Sequence, residues 1–369
     1  MQKDLTTIAH LSYSLGFGGL EQVIVNLVNH SSDYPVRHII ITLTDDQALQ
    51  SSLQPDVEVF CLNKAEGNDL GSHMRLFKLL REQRVDVLQT YNFSTIEYHP
   101  IAWLAGLRHL VHSDHGRGGD SSRGTGRKQN GLRRFCSLFL DHYIVVSPDL
   151  QRWAQQTLKL RAPKLALVYN GVDTRRYSPA EAIGEGFQVC TVGRADPIKN
   201  QALMIDAFAL ACQRDQQFSR ESRLQIAGDG PVLDELREHI TQRAMEEHIK
   251  LLGFRRDADR LIQQSQLFIL SSNYEAMPMT ILEALACGVP VICTDVGGTR
   301  YLLSEHEGWL APAGDAEGLA DCLLEAFHNP ARRAEKGRAG RTKVVSHYSI
   351  EKMVADYMAA YGVAAPQQN

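Results

Sequence analysis

Short apolar runs alternate with amphipathic, helix-like segments along most of the chain. The strand-like runs of the first part are "TIAHLS", "RHIIITLT", "VDVLQTY", "HLVHSDH" and "LDHYIVVS". A second series follows, with "FQVCTVG", "SRLQIAGDG", "IKLLGF", "LFILSS" and "VPVICTD". Such alternation is typical of βαβ units and a parallel sheet. The pattern therefore predicts an α/β fold made of two parallel-sheet domains in tandem.

The segment between the two series, "NGVDTRRYSPAEAIGEG", is rich in turn formers and poor in apolar residues. This composition is typical of a linker. A chain of 369 residues also exceeds what one ordinary α/β core holds. We predict a first domain over residues 1–168, a linker over 169–186, a second domain over 187–345 and a C-terminal helix over 346–369.

Composition and charge narrow the class of protein. Charged residues make up 22% of the chain and the formal net charge is -4, so we expect neither bulk nucleic-acid binding nor a general attraction to membranes. The cysteines are scattered without a C-x-x-C pair, which argues against a disulfide framework or a structural zinc site. No apolar run reaches the ~18 residues of a transmembrane helix, and the N-terminus lacks the apolar core of a signal peptide. We expect a cytoplasmic protein.

One stretch has a biased composition. Residues 116–134, "GRGGDSSRGTGRKQNGLRR", are full of Gly, Ser and Arg. Two interpretations stay open for this predicted loop. It is either a mobile surface loop or a basic loop that meets an anionic acceptor or a lipid head group.

The stretch "SLGFGGLEQ" follows the first predicted strand and contains a cluster of glycines. Gly16 and Gly18 supply two glycines of a dinucleotide-binding G-x-G-x-x-G fingerprint, but Glu21 stands at the third position. Asp45 or Asp46 after the next strand would supply the usual acidic residue. The glycines alone therefore leave open a dinucleotide site and a loop for another ligand.

The stretch "SSNYEAMPMTILEALACGVPVICTD" predicts a strand end, a short loop, a helix and another strand. Pro278 suits the first turn of the helix and Gly288 its end. Free N–H groups over residues 276–280 would then form an anion site at the carboxyl end of a strand. Glu283 is an isolated carboxylate in this apolar run and needs hydrogen-bond donors. Sugar hydroxyls or a neighbouring arginine would provide them.

The stretch "TVGRADPIKNQALMIDAF" places two cations after a predicted strand. Lys199 lies just before or at the start of the next helix, where a cation is unfavourable by roughly 0.3–1 kcal/mol. We therefore expect a negative group close to it. Arg194 offers a planar fork suited to phosphate, so the pair predicts a diphosphate clamp. An exposed Lys199 without a role is the alternative.

Five motifs occur in order along the chain: G-R-x-x-x-x-K (Gly193, Arg194, Lys199), an E-x7-E pair (Glu275, Glu283), "NGVD" (170–173), "AGDGP" (227–231) and "GVPVICTDVGG". Together they resemble family 4 of the retaining, nucleotide-sugar-dependent glycosyltransferases. The resemblance covers nearly the whole chain and is strongest over residues 165–315. It implies the GT-B fold, in which two Rossmann-like domains face each other across a cleft. The first domain would then lie on the acceptor side, and the second would bind the nucleotide-sugar donor.

The resemblance also assigns roles to individual residues. Arg194 and Lys199 would neutralise the diphosphate leaving group. Glu275 would bind hydroxyls of the transferred sugar, and Glu283 would accept hydrogen bonds from the ribose. His115 of "HSDHG" would lie near the anomeric carbon and position sugar and acceptor. The implied catalytic set is therefore His115, Glu275, Arg194 and Lys199.

Further donor contacts implied by the resemblance are made largely by backbone groups. They come from Gly18 and Gly19 of the glycine-rich loop, from Phe254 after "LLG" with Arg255 nearby, and from Met277, Met279 and Thr280 at the helix start. On this view the glycine-rich loop serves a donor diphosphate and not a dinucleotide. His112 competes with His115 for the role near the anomeric carbon.

The implied chemistry needs no cofactor and no metal ion, because Arg, Lys and helix N–H groups stabilise the departing diphosphate. The D-x-D-like triplet Asp257-Ala-Asp259 lies at a predicted helix start, where we expect it to cap the helix and carry surface charge. Tyr301 replaces a glutamate that is common in the family after "GG-x-x". The C-terminal helix resembles a segment that crosses back onto the first domain.

We therefore predict a glycosyltransferase of exopolysaccharide or cell-envelope assembly. Its donor would be a nucleotide-diphosphate sugar, and its acceptor a glycan or a lipid-linked glycan. Residues 116–134 would provide a peripheral contact to the inner face of the plasma membrane. Two alternatives remain, a nucleotide-sugar 2-epimerase and a non-catalytic nucleotide-sugar-binding protein.

Overall fold

The computed structural model describes residues 5–117, 126–181 and 184–364. The chain forms two compact units, Met1–Gly171 together with Ile350–Asn369, and Val172–Ser349. The last stretch of the chain is therefore part of the first unit. No helix among the described residues is both long and apolar enough to cross a lipid bilayer.

The first unit is built around a seven-stranded sheet in the part of the chain that the structure describes. Its strands are β1 (Thr6–Ser12), β2 (Val36–Thr42), β3 (Glu58–Cys61), β4 (Val87–Tyr91), β5 (His109–Asp114), β6 (His142–Val145) and β7 (Leu165–Leu167). They pair in parallel, in the order β3-β2-β1-β4-β5-β6-β7. The central strands are buried along nearly their whole length, which explains their continuous apolar runs.

Helices connect these strands. The helices of the first unit are α1 (Gly19–Asn29), α2 (Leu70–Glu82), α3 (His99–Leu104), α4 (Arg127–Cys136), α5 (Pro148–Gln156) and α14 (Ile350–Ala360). Apolar residues of α1 pack on β2 and on the loop after β1 in one core cluster that includes Leu15, Ile24 and Ile40. From α14, the Ala360 carbonyl is bound by His109 Nε2 at 2.9 Å, and Met353 Sδ accepts the Gly171 N–H at 3.1 Å.

The second unit holds a six-stranded sheet. Its strands are β8 (Phe187–Val192), β9 (Ser222–Ala227), β10 (Ile249–Gly253), β11 (Leu267–Leu270), β12 (Val291–Thr294) and β13 (Gly308–Ala311). They also pair in parallel, in the order β10-β9-β8-β11-β12-β13. The helices are α6 (Gln201–Arg214), α7 (Gln216–Glu221), α8 (Leu233–Gln242), α9 (Ala258–Gln263), α10 (Met279–Ala286), α11 (Thr299–Leu302), α12 (Ala316–His328) and α13 (Pro330–His347).

The predicted α/β class with two parallel sheets is thus confirmed, and each sheet has a point at which its strand order reverses. That point lies between β1 and β4 in the first unit and between β8 and β11 in the second. In open α/β sheets, ligands bind outside the carboxyl ends of the strands at such a reversal. The residues that follow these strands are therefore the first place to look for a functional site.

The predicted basic loop over residues 116–134 is partly wrong. Residues 118–125 lie outside the described residues, but from Arg127 onwards the chain is helical and forms α4. The composition was misleading because Arg, Lys, Gln and Leu are good helix formers even in a stretch that contains glycine. The described helix is held by Arg133, whose side chain is fully buried.

A buried ion pair joins α4 to the end of β5. Arg133 Nε lies 3.2 Å from Asp114 Oδ2, and both side chains are inaccessible to solvent. Burial alone would raise the pKa of Asp114, but the Arg133 guanidinium outweighs it and holds this pKa at about 2. Arg133 Nη2 also donates to the Arg117 carbonyl at 2.9 Å, so the pair fixes the chain directly after β5.

Replacing Arg133 with methionine should destabilise the first unit by about 3–5 kcal/mol, because Asp114 would stay buried without a counter-charge. Urea denaturation at neutral pH measures this loss. The deficit should shrink at mildly acidic pH, where the unpaired carboxyl takes up a proton. Arg134→Met, at the exposed neighbouring position, is the matched control. Equal stabilities of the two variants would contradict the prediction.

Candidate active site

Two loops of the second unit meet at the reversal between β8 and β11. The Asn273 N–H donates to the Ile198 carbonyl at 2.7 Å, and Ser271 Oγ donates to the Asn200 carbonyl at 2.7 Å. Asn200 occupies the N-cap position of α6 with a left-handed backbone, so the helix begins one residue after Lys199. These bonds bring the start of α6 next to the loop that follows β11.

Lys199 and Glu275 form an ion pair where these loops meet. Lys199 Nζ lies 2.7 Å from Glu275 Oε1, and their side chains are 26% and 9% exposed. Ser272 Oγ donates to the same carboxylate oxygen at 2.6 Å. The negative group expected near Lys199 is therefore Glu275, at least in the protein alone. The sequence marked both residues separately but gave no sign of their contact, because 76 positions separate them.

Arg194 lies on the same loop as Lys199, in the segment between β8 and α6. Its guanidinium pairs with Asp196, and 67% of its side chain is exposed. The structure thus places Lys199 against Glu275, whereas Arg194 reaches into solvent beside its own loop. An exposed guanidinium can still turn towards an anion, since its partner Asp196 is only two residues away.

The glycines after β12 hold Glu275 by its backbone. The Gly298 N–H donates to the Glu275 carbonyl at 2.8 Å. Gly297 has a φ of +52°, and a Cβ atom there would lie 2.1 Å from the same carbonyl oxygen. Glycine is therefore required where this loop passes Glu275. Tyr301, the departure from the family pattern, is a partly buried residue of α11 in the same segment.

The "AGDGP" motif packs against the backbone of the Arg194 loop. Gly228 and Gly230 have φ values of +142° and +156°, and Cβ atoms there would meet the Gly193 and Ala195 carbonyl oxygens at 1.9 and 2.2 Å. The Ala195 N–H donates to the Asp229 carbonyl at 2.9 Å. These two glycines allow a backbone-to-backbone contact that fixes the loop carrying Arg194.

Helix α10 begins beside Glu275 with donors available for an anion. Pro278 is its N-cap, one position before the predicted first turn, and its side chain makes no capping hydrogen bond. Met277 and Met279 are buried, and Thr280 is partly exposed. The first-turn N–H groups and the helix dipole favour a negative ligand here. The helix ends as predicted, with Gly288 in the left-handed region at φ +72°.

Glu283 lies within α10 and is buried. Burial raises its pKa to about 7, and a hydrogen bond from the Tyr177 hydroxyl together with the charge of Arg176 opposes that rise. The sequence offered sugar hydroxyls or an arginine as partners for this carboxyl, but Tyr177 was missed. Only its position shortly after "NGVD" could have drawn attention to it.

The remaining candidates of the second unit lie along the same edge of the sheet or close to it. Phe254 follows β10 directly and is 46% exposed. Asp257 occupies the N-cap position of α9 without making a side-chain capping bond, so the predicted capping role is wrong. Its carboxylate instead binds Arg255 Nε at 2.7 Å, and Asp259 pairs with Arg176 at 3.1 Å. Local charge pairing outcompetes capping for these two aspartates.

In the first unit, Gly18 is the N-cap of α1 and Gly19 its first residue. Both therefore lie at a helix start after β1, the strand at the reversal of this sheet. Asp46, the acidic residue considered for a dinucleotide site, accepts the Leu15 N–H on its backbone carbonyl at 2.8 Å. The glycine-rich loop is thus attached to the loop that follows β2.

His115 follows β5 and is partly exposed. Its backbone N–H donates to Asn92 Oδ1 at 2.8 Å, and its Nε2 lies 3.5 Å from the Tyr357 hydroxyl of α14. Desolvation lowers the pKa of His115 to about 4, so its imidazole is neutral at physiological pH. His112, the competing candidate, is fully buried within β5, where its Nδ1 hydrogen-bonds Thr90 Oγ1 at 2.7 Å.

Two family models match the chain. The model for glycosyl transferases group 1 matches residues 173–343, and the model for glycosyltransferase family 4 matches residues 17–176. Together the matches run through both units. The chain therefore belongs to the family 4 glycosyltransferases, as the ordered motifs predicted. The dinucleotide, 2-epimerase and non-catalytic alternatives gain no support from these matches.

Among characterised relatives, the chain is similar to the Escherichia coli UDP-Gal:alpha-D-GlcNAc-diphosphoundecaprenol alpha-1,3-galactosyltransferase. The two are 26% identical over 81% of this chain and 80% of the relative. It is also similar to the Campylobacter jejuni N-acetylgalactosamine-N,N'-diacetylbacillosaminyl-diphospho-undecaprenol 4-alpha-N-acetylgalactosaminyltransferase, at 30% identity over 49% of this chain and 52% of that enzyme.

The Anabaena protein HepE, solved in complex with UDP, has a similar structure. Its TM-score is 0.83 at 21% identity, over 97% of this chain and 100% of HepE. The glycosyltransferase TarM likewise has a TM-score of 0.81 over 98% of this chain and 99% of TarM, at 13% identity. These similarities confirm the predicted GT-B fold. The protein is a GT-B glycosyltransferase.

The raised pKa of Glu283 should make stability depend on pH. Its folded pKa of about 7 lies above the unfolded value of 4.5, so the folded state keeps a proton that the unfolded state loses. Stability should therefore fall as pH rises from about 5 to 8. Each pKa unit corresponds to about 1.4 kcal/mol, so the whole effect is on the order of 3 kcal/mol.

Glu283→Gln removes this dependence. Chemical denaturation across that pH range should show the variant gaining stability over the wild type as the pH rises. Glu247→Gln, at an exposed position, is the control. A Glu283→Gln difference that stays constant with pH would contradict the prediction.

Proposed function

We propose that this glycosyltransferase takes its sugar from a UDP-sugar and delivers it to a lipid-linked glycan during assembly of an envelope or secreted polysaccharide. Two of the relatives act on undecaprenyl-diphosphate-linked sugars by name, and HepE was solved with UDP. The observation that carries the proposal is the Lys199–Glu275 pair beside the uncapped start of α10.

Charge explains how such a site would act on a donor. Breaking a sugar–phosphate bond builds negative charge on the departing diphosphate and positive charge on the anomeric carbon. The Lys199 ammonium, the first N–H groups of α10 and the mobile Arg194 fork would stabilise the diphosphate electrostatically. Glu275 is buried enough to bind sugar hydroxyls strongly, because hydrogen bonds to a charged acceptor are stronger than neutral ones.

The other roles follow the family resemblance. Glu283 would accept hydrogen bonds from the ribose, and such bonds favour its charged form, so donor binding would release a proton near pH 7. His115, neutral at this pH, would position the sugar and acceptor as a hydrogen-bond partner. The transferred sugar would keep its anomeric configuration. The protein supplies enough positive charge that we expect turnover without a metal ion and in the presence of EDTA.

The cellular setting is part of the proposal. A lipid-linked acceptor places the reaction at a membrane, and we expect a cytoplasmic protein bound peripherally at its inner face. Residues 116–134, with their cluster of arginines, are the contact that the sequence predicts.

A thermal-shift screen against UDP-, GDP-, ADP- and dTDP-sugars tests the donor. Saturation at 100 times Kd stabilises the folded state by about 2.7 kcal/mol, so a UDP-sugar should raise Tm by several degrees. Lys199→Ala should reduce that shift strongly. Lys343→Ala is the matched control, because Lys343 is also a partly exposed lysine, 3.3 Å from Glu307. A shift with another nucleotide alone would contradict the UDP assignment.

Kinetics test the role of Glu275. Glu275→Gln should lower kcat/KM by roughly 10- to 150-fold, the effect of losing hydrogen bonds to a charged acceptor. UDP release is measured with undecaprenyl-diphosphate-linked GlcNAc as acceptor. Glu307→Gln changes a carboxylate that is likewise paired with a lysine and should leave the rate nearly unchanged. An active Glu275→Gln enzyme would refute the assignment.

A further inference from the structure

Helix α4 has an inverted amphipathic pattern. Its buried side chains are the polar Asn130 and Arg133 together with Cys136. Phe135 is 53% exposed, and Leu138 in the turn directly after the helix is 72% exposed. Large exposed apolar residues paired with buried polar ones depart from the usual pattern of a soluble protein. An outward apolar face of this kind needs an explanation.

The inward polar face of α4 is explained by the fold. The Arg133 guanidinium neutralises Asp114 and lies over the rings of Phe93 and Trp153, at 4.7 and 5.2 Å from their centroids. The exposed Phe135 and Leu138 take no part in these contacts. The core of the first unit therefore does not require apolar residues on the outer face of α4.

The apolar surface continues onto α3. Trp103 and Leu104 are 44% and 64% exposed. The ring centroids of Trp103 and Phe139 lie 5.9 Å apart, and those of Phe135 and Phe139 lie 5.7 Å apart. Trp103, Leu104, Phe135, Leu138 and Phe139 thus form one surface, the aromatic patch. Contiguous apolar surface of this kind marks interaction sites on soluble proteins.

Cations surround the aromatic patch. The Arg108 guanidinium lies 5.2 Å from the centroid of the Trp103 ring, and Lys164 Nζ donates to the Ser137 carbonyl at 3.1 Å. Further exposed cations on α4 are Arg127, Lys128 and Arg134. Among the described residues, no carboxylate lies within 4.0 Å of the charged nitrogens of these five side chains. Asp141 beside them uses its carboxylate to accept the Leu110 N–H at 2.9 Å.

We propose that the aromatic patch docks onto the surface of an anionic lipid bilayer. Tryptophan and phenylalanine suit the interfacial layer, where one side of the ring is apolar and the other is hydrated. The surrounding arginines and lysines would bind anionic head groups. A second copy of this chain fits less well, since its own cations would face these cations.

This surface differs from the contact predicted within residues 116–134. It combines α3 with α4 and the following turn, and its apolar members lie outside that stretch. It also does not rest on the proposed donor or acceptor. Vesicle binding can therefore succeed or fail independently of sugar transfer.

Sedimentation of the full chain with vesicles tests the proposal. The wild type should bind vesicles of equal parts phosphatidylcholine and phosphatidylglycerol, and bind pure phosphatidylcholine weakly. The double substitution Phe135→Ser with Leu138→Ser should lower the partition coefficient by roughly tenfold. Val345→Ser is the matched control, because Val345 is 46% exposed on α13 of the second unit.

A second variant separates the charge from the apolar contact. Arg127→Ser with Lys128→Ser should weaken binding to the anionic vesicles and reduce its dependence on salt. Unchanged melting curves establish that both double variants fold. Failure of the wild type to bind, or equal binding by the Phe135/Leu138 variant, would overturn the proposal. Light scattering that shows a dimer abolished by that variant would overturn it in favour of self-association.

Discussion

Parallel strand pairing is the constraint on which both units depend. Consecutive strands of a parallel sheet cannot be joined by a tight turn, so the chain must return through a helix after each strand. The carboxyl ends of all strands then emerge at one edge. Residues that are far apart in sequence, such as Lys199 after β8 and Glu275 after β11, meet there for this reason. The position of the site is a consequence of the pairing, whereas its chemistry comes from the loops.

The donor-side loops are fixed largely by their backbone. Three close approaches, at Gly228, Gly230 and Gly297, leave no room for a Cβ atom. They lock the Arg194 loop and the carbonyl of Glu275 in place. The side chains that act on a ligand then need little rearrangement, and a preorganised site stabilises charge more effectively than a flexible one. Lys199 already faces a carboxylate and would exchange part of this contact for a diphosphate.

The first unit shows how a buried polar group affects the surface. Asp114 ends β5 directly before His115, and its charge is tolerated because Arg133 is buried with it. Arg133 occupies the inner face of α4 that apolar residues would normally fill. The apolar Phe135 and Leu138 are consequently outside. The ion pair behind His115 and the aromatic patch are thus two faces of the same short helix.

The sequence by itself determined the βαβ alternation, the end of α10 at Gly288 and the ordered motifs that identify the family, because these are local patterns. It missed β3, β7 and β13, which are strands of three or four residues at the sheet edges and too short to show a period. Only the tertiary structure decided that Lys199 pairs with Glu275, that Tyr177 binds Glu283 and that Arg133 turns inward. The partner of a polar side chain depends on which distant segments the fold brings within hydrogen-bond distance, and no local pattern encodes that.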